Sequence, residues 1–272
     1  MASVAPTAAQ SFQSLCRQWR QLRKWSQLDL ALAADVSQRH VSWLETGRSQ
    51  PSREMVMRLS DALDIPLRER NVLLQCAGYA PAYSETRLEE PVMAPILDAL
   101  NHVLEYHQPL PAVVVDRFWN IKRKNRAADL ILDIVSDREN VHANNGTGSE
   151  LNLALLTLHP AGLRPFIANW QQAAPSFIRR LRSEAMASCD VQLQQRLADY
   201  IALAGPMEHA DDPSESLLPV LPLELNINGL ELSLFSVIST FGTPQDITTD
   251  ELRIEAFYPT DAQTEQFFTS MA

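Results

Sequence analysis

The chain has 272 residues, 46% of them hydrophobic and 21% charged, with a net charge of -10. That length accommodates two domains with separate cores, and the composition excludes a chain dominated by disorder. No apolar run approaches the roughly 18 residues of a membrane span, and the opening MASVAPTAAQ lacks the charged and apolar regions of a signal peptide, so residence in the cytoplasm is expected. The charge is uneven. Residues 1–80 carry ten Lys/Arg against seven Asp/Glu, a balance of +3, and residues 81–272 carry thirteen against twenty-six, a balance of -13. This asymmetry suggests a mildly basic binding module joined to an acidic one. Cys16, Cys76 and Cys189 form no C-x-x-C pair, which argues against a zinc knuckle or a disulfide framework.

The first helix is expected from Phe12, with Leu15, Trp19 and Leu22 at helical spacing and Arg17, Arg20, Arg23 and Lys24 on the other face. In WSQLDLALAAD, Ser26 and Asp29 form a capping box, and Leu28, Leu32 and Val36 are expected to face inwards, with Ala31 and Ala34 at close-packing positions. Ser37 then caps a third helix, Gln38–Glu45, which ends at Gly47 in the left-handed region. A fourth helix spans Arg53–Leu63, and a fifth lies within PLRERNVLLQCAGYAP, stopped by Gly78 and Pro81. The third helix is unusual for a surface helix, because only Val41 and Leu44 anchor it while Gln38, Arg39 and His40 open it. Two helices joined by a tight turn, the second showing its polar N-terminus, form a helix-turn-helix pattern that enters the DNA major groove. Gln pairs with adenine and Arg with guanine, so Gln38 and Arg39 are the candidate base readers, with Trp43 one turn on.

These residues carry a resemblance. SQLDLALAADVSQRHVSWLETGRSQPS is similar to the Cro/C1-type (XRE) helix-turn-helix over about residues 11–76. The resemblance implies that Gln27 holds a phosphate, that Gln38, Arg39 and Trp43 face bases, and that Arg20 pairs with Glu45 to brace the first helix against the third. His40 falls where that family often places a small or polar phosphate-facing residue. The DNA-binding set is therefore Gln27, Ser37, Gln38, Arg39, His40, Trp43, Arg48 and Ser49.

Beyond residue 80 a polar stretch between Pro81 and Pro91 reads as a linker. A connecting helix follows, with Ile96, Leu100, Val103 and Leu104 at helical spacing, ending at Pro109. His102 and His107, five apart, are read as surface residues rather than metal ligands. Val113–Val115 and the segment around Trp119 and Ile121 read as two strands with a turn near Asp116-Arg117, and Asn125 caps a following helix. A helical region over 151–204 is expected to break at Pro160, Pro165 and Pro175, with His159 closing a helix. Leu221, Leu223, Leu225 and Ile227 alternate up to Asn228-Gly229, a type I′ hairpin signal; Leu230, Leu232 and Leu234 resume the alternation, and Leu252, Ile254 and Ala256 mark a last strand.

Two strands, a helical middle and three strands give an α+β domain with a mainly antiparallel five-stranded sheet, an order that resembles a PAS-like sensor. More narrowly, RERNVLLQCAGYAP, PAVVVDRFWNIKRKNRAADLIL, LLTLHPAGLRPFIANWQQAA and YPTD resemble the MmyB-like branch of the XRE regulators. That resemblance implies a transcription factor whose second domain holds a small apolar molecule such as a fatty acid. The expected organisation is a five-helix DNA-binding domain over 1–80, a linker and connecting helix over 81–108, and a PAS-like ligand-binding domain over 109–272. Trp119, Phe166, Trp170, Phe235 and Phe257 are candidate pocket walls, and Arg164 or Asn169 is the candidate partner for a carboxylate. The partners expected are double-stranded DNA with a pseudo-palindromic operator, a second copy of the chain in a homodimer, and a small-molecule effector. A second reading makes the acidic domain a docking surface for a protein partner, with no ligand. No catalytic, metal or phosphate-loop motif occurs, so an enzyme is not expected.

Overall fold

The computed structural model describes residues 11–133, 150–206 and 219–271. The polar stretches around residues 139–149 and 208–216 lie outside the described residues. The chain begins with five helices: α1 (Phe12–Leu22), α2 (Gln27–Ala33), α3 (Gln38–Thr46), α4 (Arg53–Ala62) and α5 (Leu67–Cys76). There follow α6 (Ala94–Tyr106), strands β1 (Ala112–Val115) and β2 (Ile121–Lys124), and α7 (Arg126–Asp133). Next come α8 (Leu153–Leu158), α9 (Trp170–Met186) and α10 (Val191–Ala202). The chain closes with β3 (Leu223–Ile227), β4 (Leu230–Thr240), α11 (Ile247–Glu251), β5 (Arg253–Pro259) and α12 (Ala262–Ser270). No helix among the described residues is long and apolar enough to cross a membrane.

The contacts divide the chain into two compact units. The first runs to Thr86 and includes two short later segments, Met186–Val191 and Thr243–Asp250; the second holds the remainder. In the first unit the helix starts follow local chemistry. Ser26 and Asp29 satisfy each other's backbone N–H groups as a capping box, Ser37 accepts from the His40 N–H, and Gly47 takes φ 75° where a side chain would be strained. Phe12, Leu15, Trp19, Leu30, Val41, Leu44, Val56 and Leu59 build its core. The expected inward face of α2 is corrected: Leu32 is 73% exposed and Leu28 half exposed, while Leu30, Ala31 and Ala34 are buried. In a seven-residue helix two phases of the pattern lie close together, and the small alanines face inward where α3 packs closely on α2.

The two later segments supply what α5 lacks. Pro66 provides no side-chain cap, and the Asp250 carboxylate instead accepts from the Leu67 N–H at 3.1 Å. Ser188 donates to Glu69 at 2.7 Å, Cys189 is buried among the first unit's core residues, and Asp246 accepts from both the N–H and the hydroxyl of Thr86. These partners lie more than a hundred residues apart in sequence, which is why local pattern gives no sign of them.

The second unit is an α+β fold around one antiparallel sheet of order β2-β1-β5-β4-β3. β1 is buried along its whole length because both faces are covered: Ala112 and Val114 pack with Leu100 and Leu104 of α6, and Val113 and Val115 with the helices α7 to α10. Its unbroken β-branched run is the pattern of such a strand. The segment expected as linker and connecting helix thus divides, with Leu88, Met93, Leu100 and Leu104 in the core of this unit. Asn228 and Gly229 both have positive φ, as a type I′ turn requires. Pro175 does not break the helix: α9 runs through it, since one lost hydrogen bond is outweighed by a buried face that includes Ile178 and Leu181. The final helix α12, not anticipated from the sequence, has Asp261 as its N-cap and Phe268 fully buried.

Candidate functional site

Two regions carry the chemistry, one in each unit. In the first, Val41 and Leu44 are fully buried and fix α3 against the core, leaving Ser37, Gln38 and Arg39 exposed at its N-terminus. Backbone N–H groups and helix polarity make this end suited to phosphate. The Arg39 guanidinium lies 4.5 Å from the centroid of the half-buried Trp43 ring. A cation–π contact of this kind holds a guanidinium without consuming its hydrogen-bond donors. His40 and Ser49 are half-buried and Arg48 exposed, and the backbone N–H groups of Arg48 and Ser49 both donate to the Trp43 carbonyl. The turn after α3 is thereby tied to the helix that presents Gln38 and Arg39.

Behind this surface sits Glu45, 2% exposed. Its carboxylate accepts from Arg20 Nε at 2.6 Å and Nη2 at 2.9 Å, and from Gln27 Nε2 at 2.9 Å, with Arg17 at 3.7 Å. Burial pushes the Glu45 carboxyl upwards, but the hydrogen bonds from Arg20 and Gln27 and the charges of Arg20 and Arg17 outweigh it, so the net shift is below the usual carboxylate range. Arg20 also donates to the Trp25 carbonyl, so one guanidinium ties α1 to the end of α3 and to the start of the α2 turn. Gln27, expected at a phosphate, here has its amide N–H2 on Glu45.

In the second unit a cavity of about 270 Å³ opens between the sheet and the helices. Its walls are mostly apolar, among them Val113, Leu132, Leu163, Ile167 and Phe177, with Thr157, Ser176, Ser236, Arg180 and Glu255 as polar members. An apolar concavity with a few convergent polar groups is the usual form of a small-molecule site. Gly162 precedes the wall residue Leu163. A Cβ on Gly162 would collide with the Leu156 carbonyl, and the same carbonyl accepts from Leu163 N–H at 2.6 Å.

Of the seven expected pocket residues, Trp170, Phe235 and Phe257 line this cavity and four stand elsewhere. Trp119 is fully buried with a positive φ of 67°, donates through Nε1 to Glu184 at 2.9 Å, and meets Phe177 edge-on. Its backbone is held by Asp116, whose carboxylate accepts from the Phe118 and Asn120 N–H groups. Arg164 lies over the Trp170 ring, 4.7 Å from its centroid. Phe166 packs in the apolar cluster around Leu225, Ile227 and Phe268. Asn169 is satisfied by backbone, donating to the Pro222 carbonyl and accepting from the Glu224 N–H, so both sides of its amide are occupied in joining α9 to β3. These four serve the cavity's frame.

Sequence reasoning missed the polar end of the cavity. Glu184 accepts from Arg180 Nε at 3.1 Å and pairs with Arg253 Nη1 at 2.6 Å, in addition to Trp119. Arg180 also lies 3.6 Å from Oε1 of Glu255, and Oε2 of Glu255 has no hydrogen-bond partner. Burial holds the Glu255 carboxyl above its ordinary value, against the lowering effect of Arg180 and of the Ser236 hydroxyl. Ile254 and Ala256 alternate with Glu255 and face α6, so a half-exposed sheet would have put Glu255 in water. The helices over the second face bury it instead. Among the described residues no cluster of three His, Cys, Asp or Glu is placed to hold a metal ion.

Comparison with known families gives two matches. Residues 96–271 match the family described as MmyB-like transcription regulator ligand binding domain, and residues 17–70 match the family described as helix-turn-helix. No curated protein matches the chain.

Proposed function

We propose, on the premise that this chain belongs to the MmyB-like transcription regulators, that it binds DNA as a homodimer under the control of a small apolar, fatty-acid-like effector. The family itself, with its XRE-type helix-turn-helix, makes the chain a DNA-binding transcription regulator with a ligand-binding domain. The effector class, the dimer, the pseudo-palindromic operator and residence in the cytoplasm belong to the proposal. In it, Gln38 and Arg39 read base edges, with Trp43 holding the Arg39 plane in place. Ser37, His40, Arg48, Ser49 and Gln27 supply phosphate-side contacts, Gln27 by turning its amide from Glu45.

The observation that carries the effector reading is the apolar cavity with its few polar groups, since a domain that only docked a protein would have a filled core. Chain connectivity adds support. α9 contributes Trp170, Phe177 and Arg180 to the cavity walls, and its last residue begins the segment Met186–Val191 that belongs to the first unit. An effector alters DNA affinity only by favouring one arrangement of the recognition helices over another, with roughly 34 Å between half-sites as the target spacing. Native mass spectrometry of the full chain, followed by mass determination of released small molecules, tests the proposal. A dimer that retains added decanoate supports it, and a monomer that retains no aliphatic ligand contradicts it.

A further inference from the structure

We propose that α9 carries the effector's signal to the DNA-binding unit, acting through the turn 187–190 that it enters and that is anchored on α5. This rests on the cavity being an effector site. α9 is both wall and connector: Trp170, Ala174, Phe177 and Arg180 line the cavity, and the helix ends at Met186, where the segment belonging to the first unit begins. Within that unit the Ser188 hydroxyl donates to Glu69 of α5 at 2.7 Å and accepts from the Asp190 N–H at 3.0 Å. Ser188, Cys189 and Glu69 are each 7% exposed, and Cys189 belongs to the same apolar cluster as Trp19 and Leu74. A buried hydrogen bond and a buried side chain on consecutive residues thus fix the turn to a packed core, and packed interiors transmit displacement rather than absorb it. α5 packs on α1, and α1 on α3, where Arg20 and Glu45 join them. The position of α5 therefore bears on the helix that presents Gln38 and Arg39.

A second connection exists, and its mechanics differ. Thr243–Asp250 joins β4 to β5, and both strands also line the cavity, through Ser236 and Glu255. Those strands are paired with each other from Leu234–Pro259 to Thr240–Arg253, and β5 is paired on its other side with β1. Shifting either strand against its neighbours costs ladder hydrogen bonds. α9 is held to its neighbours by side chains alone, and helices so held shift by roughly 1–2 Å between two arrangements. Its ties at Glu184, to the Trp119 indole and to Arg253, run through side chains that follow a shift of that size. The helix is also interrupted beside the cavity, because Pro175 has no N–H to give the Gln171 carbonyl. That interruption falls between the wall residues Trp170 and Phe177, so an occupant pressing on the lining acts where the helix bends most easily.

The test is fluorescence anisotropy of a labelled duplex selected by the full chain, with and without saturating decanoate, beside calorimetry of decanoate binding. Wild type is compared with Gly-Gly inserted after Met186, Gly-Gly inserted after Gly242, and Ser188→Ala; Met186 and Gly242 are both exposed. Two added residues give up to about 7 Å of slack, more than the roughly 1–2 Å of a helix shift. Decanoate is expected to change the wild-type duplex affinity by about fivefold or more. The insertion after Met186 is expected to bring that change below about twofold while decanoate binds within about twofold of its wild-type affinity, since Met186 is not a lining residue. The insertion after Gly242 is expected to keep the wild-type response. Ser188→Ala, which removes one anchor and leaves the chain length and Cys189 in place, is expected to weaken the response by roughly twofold or more. A full response after the Met186 insertion or in Ser188→Ala, or a response lost after the Gly242 insertion, overturns the α9 route and leaves the effector cavity standing. Wild type that binds decanoate yet holds the duplex equally with and without it overturns regulation by the cavity, and wild type that binds no decanoate overturns the effector reading itself.

Discussion

Replacing Glu45 by alanine removes the acceptor for a guanidinium that is almost as buried as the carboxylate itself, with side-chain exposures of 12% for Arg20 and 0% for Glu45. It also frees Gln27 and weakens the tie to Arg17. Breaking a buried pair from one side leaves an uncompensated charge and costs about 3–5 kcal/mol, against about 0–1 kcal/mol for an exposed pair. Two features argue for the lower part of that range: Arg20 keeps its bond to the Trp25 carbonyl, and it retains a little solvent contact. A loss of about 3 kcal/mol corresponds to a urea midpoint lower by about 1.5 M at an m-value of about 2 kcal/mol per molar. Far-UV circular dichroism of the full chain reads it. The double variant Arg20→Met, Glu45→Leu is expected to recover a large part of the loss, since both charges leave together. The acid limb gives an independent check. The Glu45 carboxyl is lowered in the folded chain, so its contribution is complete above the unfolded value of about 4.3 and declines as pH falls through the lowered folded value. Glu45→Gln should therefore lose less stability than wild type on acidification below about pH 4. A midpoint change under about 0.5 M for Glu45→Ala, the level of an exposed pair, would refute the reasoning.

Other outcomes follow from the same geometry. Arg39→Ala should reduce discrimination at one base position by roughly 1–3 kcal/mol, read as the ratio of affinities for the preferred and mismatched duplex; an unchanged ratio rules out Arg39 as a base reader. Leu30→Ala should destabilise by about 2–5 kcal/mol and Leu32→Ala by less than about 0.5 kcal/mol, and equal losses in denaturant melts would contradict the phase of α2. Burial pushes the Cys16 and Cys189 thiols up to about 12, the nearby Glu45 and Glu69 carboxylates adding to the effect. Both should therefore resist iodoacetamide at pH 8 in the native protein and react in urea, and rapid native labelling seen by mass spectrometry would count against that burial.

What was legible in the sequence was local. Ser26 with Asp29, Ser37 and Gly47 each act within a turn, so their residue types announce their roles, and Asn228-Gly229 fixes a hairpin through two backbone angles. The order of the strands and of the helices up to α10 followed from local pattern, and so did the α+β class, whereas α11 and α12 were not anticipated. Illegible were features that depend on partners far along the chain. The Asp250 cap on α5, Ser188 against Glu69, and the choice between Leu28–Leu32 and Leu30–Ala34 as the inner face of α2 are of that kind. The cavity shows the same limit. Aromatic residues could be picked out, but whether Trp119 fills core or lines a void is decided by Phe177 and Glu184, which arrive from α9. Glu255 escaped notice because a charged residue alternating with Ile254 and Ala256 reads as solvent-facing until the second face of the sheet is known to be covered.

The central claim is that one molecule links an occupied cavity to DNA affinity. It is tested most directly by fluorescence anisotropy of a labelled duplex, selected from random sequence by the full chain, titrated with and without saturating decanoate. The account predicts that affinity changes by about 5-fold to 150-fold, the range of coupling energies of about 1–3 kcal/mol. Identical titrations with and without decanoate, in a chain shown to bind the acid, would contradict it.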